Sequence, residues 1–210
     1  KCTSLIEMTI PDSVTYIGEC AFCGCTNLKK IVVPDSITSI GGSTFYGCTS
    51  LTEITIPDSV TNIWSSTFRG CSSLTEITIP DSVTSIGDSA FYGCTSLTEV
   101  TIPDGVTNIE GFVFTNTPWL IAKQEENPLV IINGTLIDGT TCTGSVTIPD
   151  SVTSIAGGAF DSCTGLTAIT IPESVTSIGD SAFYRCTGLT EIAIPESVTS
   201  IGNYAFDSCT

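Results

Sequence analysis

The sequence has no histidine and very few cations. Its 210 residues include 6 lysines and arginines against 22 aspartates and glutamates, so the formal net charge is −16. Without histidine, Ser-His-Asp catalysis, Cys-His catalysis and histidine-ligated metal sites are all excluded. Six scattered cations cannot follow a phosphate backbone or an anionic bilayer, so nucleic acids and membrane surfaces are poor partners.

Targeting and membrane signals are also missing. The chain opens at Lys1-Cys2 without an initiator methionine or an apolar leader, and no apolar run approaches the length of a membrane span. We therefore expect no transmembrane segment in this chain. Either targeting segments have been removed or the chain is a fragment, and we favour a fragment of a longer array. Because 41% of the residues are hydrophobic, the chain is too apolar for an acidic disordered tail, and we predict a packed core.

Prolines recur every 23 residues and reveal an internal repeat, as seen at Pro11, Pro34, Pro57, Pro80, Pro103, Pro149, Pro172 and Pro195. Nine copies follow from this period, namely 2–24, 25–47, 48–70, 71–93, 94–116, 117–139, 140–162, 163–185 and 186–208. A fixed period of this length is typical of one supersecondary unit copied along the chain. We therefore predict one repeat domain over residues 1–210.

The fourth repeat shows what each copy should form. Ile77 and Ile79 alternate with polar residues, which is the pattern of a half-buried strand, and Pro80 then ends that strand. A second short extended segment should contain Ile86, followed by a single helical or 3₁₀ turn that carries Phe91. One copy cannot bury these side chains alone. Stacked copies can, because equivalent residues meet at about 4.8 Å in a parallel sheet.

The consensus Leu-x-x-Ile-x-Ile-Pro-x-x-Val-x-x-Ile-Gly-x-x-Ala-Phe-x-x-Cys resembles the BspA-like (Treponema-type) leucine-rich repeat along nearly the whole chain. The resemblance implies a mostly-β solenoid, a right-handed coil with one parallel β-strand, a short extended segment and a 3₁₀ or helical turn per repeat. It also implies an extracellular or cell-surface protein whose repeats serve adhesion, with no catalytic residues to carry over.

The sixth repeat, 117–139, keeps the length and loses the pattern. Glu126 replaces the proline, Trp119 is new, and two apolar runs flank Asn133-Gly134. Such runs around Asn-Gly predict a β-hairpin. The favoured interpretation is an irregular spacer that bends the solenoid. The alternative is a recognition patch in which Trp119 is an aromatic anchor.

The cysteines follow the repeat more than they follow any chemistry. Eight of the 11 fall in one column, Cys2, Cys25, Cys48, Cys71, Cys94, Cys163, Cys186 and Cys209. A duplicated column predicts buried packing, since free cysteine behaves as a small hydrophobe. Cys20, Cys23 and Cys25 form a Cys-x-x-Cys-x-Cys cluster, for which a disulfide and a metal site both stay open. The metal is disfavoured because no fourth ligand is evident.

Most carboxylates also fall in columns, so no acid pair stands out as a catalytic site, and we predict a non-enzymatic protein without a cofactor or metal. Carboxylates repeated at strand spacing repel one another. Added salt or weakly bound Ca²⁺ should therefore raise the melting temperature.

The leading functional prediction is a binding module. Outward strand residues should tile an acidic, threonine-rich sheet face that suits a basic host or matrix protein. The candidate ligand-binding residues are Glu53, Thr55, Glu76, Thr78, Glu99, Thr101 and Trp119.

Two further interpretations compete with this one. A structural spacer that self-associates end to end is the alternative, because the array begins and ends without polar capping repeats. Ice binding through the threonine column that contains Thr15 and Thr38 is disfavoured, since the companion column is mixed. Enzymatic activity is the least favoured class.

Overall fold

The computed structural model describes residues 2–209. The chain folds as two compact units. Unit 1 comprises the residues up to Asn108 together with Val113–Ile121, and unit 2 comprises Ile109–Phe112 together with the residues from Ala122 onwards. Each unit is built of stacked turns with parallel strands, which confirms the solenoid. The assignment of the whole chain to one domain stays a prediction.

Unit 1 carries strands of two or three residues, in line with the two extended segments expected in each repeat. They are β1 (Glu7–Thr9), β2 (Tyr16–Ile17), β3 (Lys30–Val32), β4 (Ser39–Ile40), β5 (Asn62–Ile63), β6 (Glu76–Thr78), β7 (Ser85–Ile86) and β8 (Glu99–Thr101); β9 (Asn108–Ile109) has one residue in each unit.

The strands of unit 1 pair in parallel with a register of one repeat. Strand β1 pairs with β3, and β6 pairs with β8, from the segments that precede each proline. The second segments pair β2 with β4 and β5 with β7. Met8, for example, lies opposite Ile31, and Ile63 lies opposite Ile86. The proline period therefore predicts the register correctly.

The core of unit 1 is a column of phenylalanine rings. Phe45, Phe68 and Phe91 are fully buried, and successive rings stack with centroids 5.3 to 5.5 Å apart. Each ring is carried by a turn with N–H(i) to O(i−3) hydrogen bonds, in which a residue such as Ser89 has a φ of 55°. This left-handed residue keeps each turn short, because L-residues do not continue a helix in that conformation.

Helix α1 (Pro118–Glu126) was not predicted from the sequence, and it takes the place of the strand in the sixth repeat. Thr117 caps it, since its Oγ1 accepts a hydrogen bond from Leu120 N at 3.2 Å. Pro118 occupies the first helical position, where its missing N–H costs nothing. Among the described residues, no helix has the length and apolarity that a bilayer span requires.

Unit 2 begins its sheets with the predicted hairpin. Strand β10 (Val130–Ile132) runs antiparallel to β11 (Thr135–Asp138), and Asn133 and Gly134 between them have φ values of 47° and 80°. Positive φ at both positions is what a two-residue hairpin turn of the I′ type needs. The hairpin prediction is confirmed.

Two parallel ladders continue from there. The first joins β11 to β13 (Ser154–Ile155), β15 (Ser177–Ile178) and β17 (Ser200–Ile201), and the second joins β12 (Gly144–Thr147), β14 (Leu166–Thr170) and β16 (Ile192–Ala193). A second stack of phenylalanine rings, Phe160, Phe183 and Phe206, fills this unit.

Candidate binding face

The predicted acidic face lies in unit 1. Glu76 and Glu99 are register partners in β6 and β8, and Thr78 is opposite Thr101. These four side chains are exposed, whereas Ile77 between them is 3% exposed. Strand alternation thus brings the two carboxylates side by side on one face, at about the 4.8 Å strand spacing.

The third repeat interrupts this face. Glu53 and Thr55 belong to no strand, and only an isolated parallel bridge joins Glu53 to Lys30. Within residues 2–209, no backbone hydrogen bond joins residues 53–56 to β6. A groove of about 670 Å³ opens between these segments, and its polar lining includes Lys30, Glu53, Thr55, Asp58, Glu76 and Thr78.

Among residues 2–209, strand β6 is paired on one side only. On the side of β6 that faces the third repeat, the described part of the chain supplies no strand partner. Such an edge presents backbone N–H and C=O groups that an added extended segment can pair with. Sequence reasoning placed Glu53 and Glu76 on this face and did not find the groove between them.

The groove is acidic. Three carboxylates, those of Glu53, Asp58 and Glu76, face one ammonium group, that of Lys30. Lys30 Nζ lies 3.4 Å from Glu53 Oε1, with the two side chains 55% and 65% exposed. An ion pair this exposed contributes about 0–1 kcal/mol. A cationic group from outside can therefore compete with Lys30 for Glu53.

Trp119 does not lie on an exposed face. It is 9% exposed, and its ring centroid lies 4.6 Å from that of Phe114 at an angle of 51°. Its backbone N–H donates to Leu97 O at 2.9 Å. This burial contradicts the alternative interpretation of Trp119 as an aromatic anchor and its inclusion among the candidate ligand-binding residues, because the ring packs against Phe114.

Six of the eight cysteines of the column are buried, whereas Cys2 is exposed and Cys209 is half-buried. Cys94 is fully buried, and its thiol donates to Phe68 O, 26 residues earlier in the chain, at 3.1 Å. Burial raises the pKa of Cys94 to about 12, which removes the thiolate that nucleophilic chemistry needs. Cys20 is exposed, Cys23 half-buried and Cys25 buried, all as free thiols. Among the described residues, no group of three potential ligands converges on a metal position.

One carboxylate differs from the exposed carboxylate columns because it is buried. Asp138 in unit 2 is 6% exposed and accepts hydrogen bonds from Gln124 Nε2 at 2.8 Å and from Thr140 N at 3.1 Å. Burial raises the pKa of this carboxyl, although these hydrogen bonds act in the opposite direction. Its role in the fold is to tie helix α1 to the hairpin.

Hydroxyl groups of the threonine column form hydrogen bonds within the solenoid. Thr38 Oγ1 donates to Thr15 O at 3.2 Å, and Thr176 Oγ1 donates to Thr153 O at the same distance. These hydroxyls donate to the backbone of the preceding repeat, so they do not form a rank of free donors facing ice.

Comparisons with known proteins agree with the repeat. The family model described as the BspA type leucine rich repeat region matches residues 1–120 and 132–210 in six copies. No protein of curated function matches the chain.

The chain is similar to several solved structures of bacterial leucine-rich repeat proteins. A leucine-rich repeat protein from Eubacterium ventriosum is 30% identical with a TM-score of 0.64, over 97% of this chain and 57% of that chain. The chain thus spans little more than half of that relative. A leucine rich cell surface protein from Faecalibacterium prausnitzii is 31% identical with a TM-score of 0.50, over 99% of this chain and 72% of that chain.

Proposed function

Because the chain belongs to the BspA-type leucine-rich repeat family, we propose that it is a non-catalytic, extracellular protein-binding module of an adhesive surface protein. Its partner is a protein with an exposed basic segment, of the kind found in host matrix proteins. The segment binds at the acidic face formed by Glu53, Thr55, Glu76, Thr78, Glu99 and Thr101.

The groove at the third repeat is the observation that carries this proposal. Its acidic lining attracts a cationic segment. Strand β6 has no strand partner on this side among the described residues, so an extended segment could add backbone hydrogen bonds there. A net charge of −16 steers a basic partner toward the chain in general. The groove determines where on the surface the partner settles.

A surface location is supported by the relative from Faecalibacterium prausnitzii, which is described as a cell surface protein. A binding role fits the architecture as well, since solenoids offer extended faces to partners.

Charge reversal with a matched control tests the proposal. The variant Glu53→Lys, Glu76→Lys, Glu99→Lys should lose capture by basic matrix proteins in a pull-down. The control reverses three exposed carboxylates of unit 2, Asp150→Lys, Glu173→Lys and Glu196→Lys, and changes the net charge equally. The control should retain most of the capture. Equal capture by the two variants would show that only net charge matters and would contradict the proposed face.

A second candidate function is a self-associating spacer of a larger surface protein. Exposed apolar side chains favour it, since Val32 is 45% exposed and Ile121 is 54% exposed. A second copy could cover such side chains. Light scattering should then show a mass that rises with concentration, and a constant monomer mass would exclude this candidate.

A further inference from the structure

A second concave site in unit 1 has aromatic walls. Tyr16 is 58% exposed and Trp64 is 50% exposed, and both border a slot of about 520 Å³. Among the described residues, none lines both this slot and the acidic groove. The floor of the slot is made by small residues, Ser39, Gly41, Gly42 and Ser43.

Both aromatic residues are departures from the repeat. Tyr16 lies opposite Ser39 in the β2–β4 pair. Trp64 stands in a column that holds Gly41 and Gly87 in the adjoining repeats. That column normally needs glycine, because a Cβ at Gly87 would lie 2.6 Å from Ser65 N. Packing within the stack thus explains neither exposed ring.

The small floor residues let the two rings share one space. Tyr16 and Trp64 are two repeats apart, roughly 10 Å at the strand spacing. The repeat between them contributes Gly42, which lies beside Trp64. A Cβ added to Gly42 would be 3.8 Å from the Cβ of Trp64. A planar group can therefore enter between the aromatic walls.

The charge of the slot selects a cation. The carboxylate of Glu19 lies on its border, while no lysine or arginine lines it within residues 2–209. Trp and Tyr faces attract cations, and a nearby carboxylate adds to that attraction. The chain already contains this kind of contact, since the guanidinium of Arg69 lies 4.3 Å from the centroid of the Tyr92 ring.

We propose that this slot binds an arginine side chain of a partner protein. The planar guanidinium stacks against Trp64 and Tyr16, and its N–H groups donate to Glu19. Lysine fits less well, because its compact ammonium is more strongly hydrated and cannot stack. A neutral pyranose could also donate its hydroxyl groups to Glu19, but it would lack the charge that attracts a cation to the carboxylate and to the aromatic faces. In the described part of the chain, the slot shares no lining residue with the acidic groove, so an experiment can refute the proposal for one site without refuting the proposal for the other.

Fluorescence reports directly on the slot. The chain has two tryptophans, and Trp119 is buried. A ligand that binds in the slot should therefore change mainly the emission of Trp64. We expect saturable quenching by a short peptide with one arginine. The same peptide with citrulline, which has the shape of arginine without the charge, should bind about tenfold more weakly, as expected for the loss of a cation–π contact.

Two variants should remove the aromatic side chains of the slot without disrupting the fold. Trp64→Gly and Tyr16→Ser restore the residues of the adjoining repeats, so the stack should fold. Calorimetry should show each binding the arginine peptide about tenfold more weakly. Tyr204→Ser is the matched control, because Tyr204 is 72% exposed in unit 2 and its adjoining repeat carries Ser181. That control should bind as the wild type does.

Three results would overturn the proposal: equal affinity for the arginine and citrulline peptides, undiminished binding by Trp64→Gly, or quenching of Trp64 by a chitin oligosaccharide and not by the peptide. None of them affects capture of basic proteins at the acidic groove, which the charge reversals test separately.

Discussion

The phenylalanine column should hold unit 1 together, and truncating one central ring measures how much. Phe68 is fully buried and stacks on two neighbours, Phe45 at 5.5 Å and Phe91 at 5.3 Å. Phe68→Ala removes the burial of a large ring and leaves a cavity, at a cost of about 3–5 kcal/mol. Domains of this size are stable by about 5–15 kcal/mol, so the variant should be marginal.

Phe22→Ala is the matched control within the same unit. Phe22 is only half-buried and stacks on Phe45 alone among the described residues. Its truncation should cost about 1–2 kcal/mol. Phe22 buries less apolar surface than Phe68 does, and water can fill the space that the Phe22 ring leaves. Urea unfolding followed by circular dichroism gives both values, provided the slope with urea is unchanged. Equal losses for the two variants would refute the view that a continuous ring column carries the stability.

Three further predictions concern thiols and carboxylates. Native protein should leave Cys94 unmodified by iodoacetamide at pH 8 while exposed Cys20 reacts, and equal labelling would contradict the packed column. For Asp138, the folded state holds the proton more tightly than the unfolded state. The unfolding free energy of wild type relative to Asp138→Asn should therefore fall as the pH rises from the usual pKa of 3.8 through the raised pKa. Salt or millimolar Ca²⁺ should raise the melting temperature by screening Glu76 from Glu99. A melting temperature that changes with neither would contradict this prediction.

The sequence predicts the parts of this fold that depend on the repeat itself. The period of 23 residues sets the parallel register, because equivalent residues bury the same columns when copies stack. The Asn133-Gly134 turn is also a local property, since few residues adopt positive φ at two successive positions.

Other features were missed for different reasons. Helix α1 had a local signal, a threonine cap followed by proline at Thr117-Pro118. The repeat pattern predicted another strand at this position, so the helix was missed. The groove had no such signal. Residues 51–57 and 74–80 have the same sequence, yet only the second copy forms a strand. Pairing depends on the neighbouring repeats, which a local pattern does not describe.

The measurement that tests the central claim most directly is the association rate of a basic matrix protein with three forms of the chain, at low and at physiological ionic strength. These forms are wild type, the reversal at Glu53, Glu76 and Glu99, and the matched reversal in unit 2. A partner that settles at the acidic face should associate at least about tenfold more slowly with the first reversal than with the second, and the difference should shrink as salt rises. Identical rates for the two reversals at low salt would contradict the account.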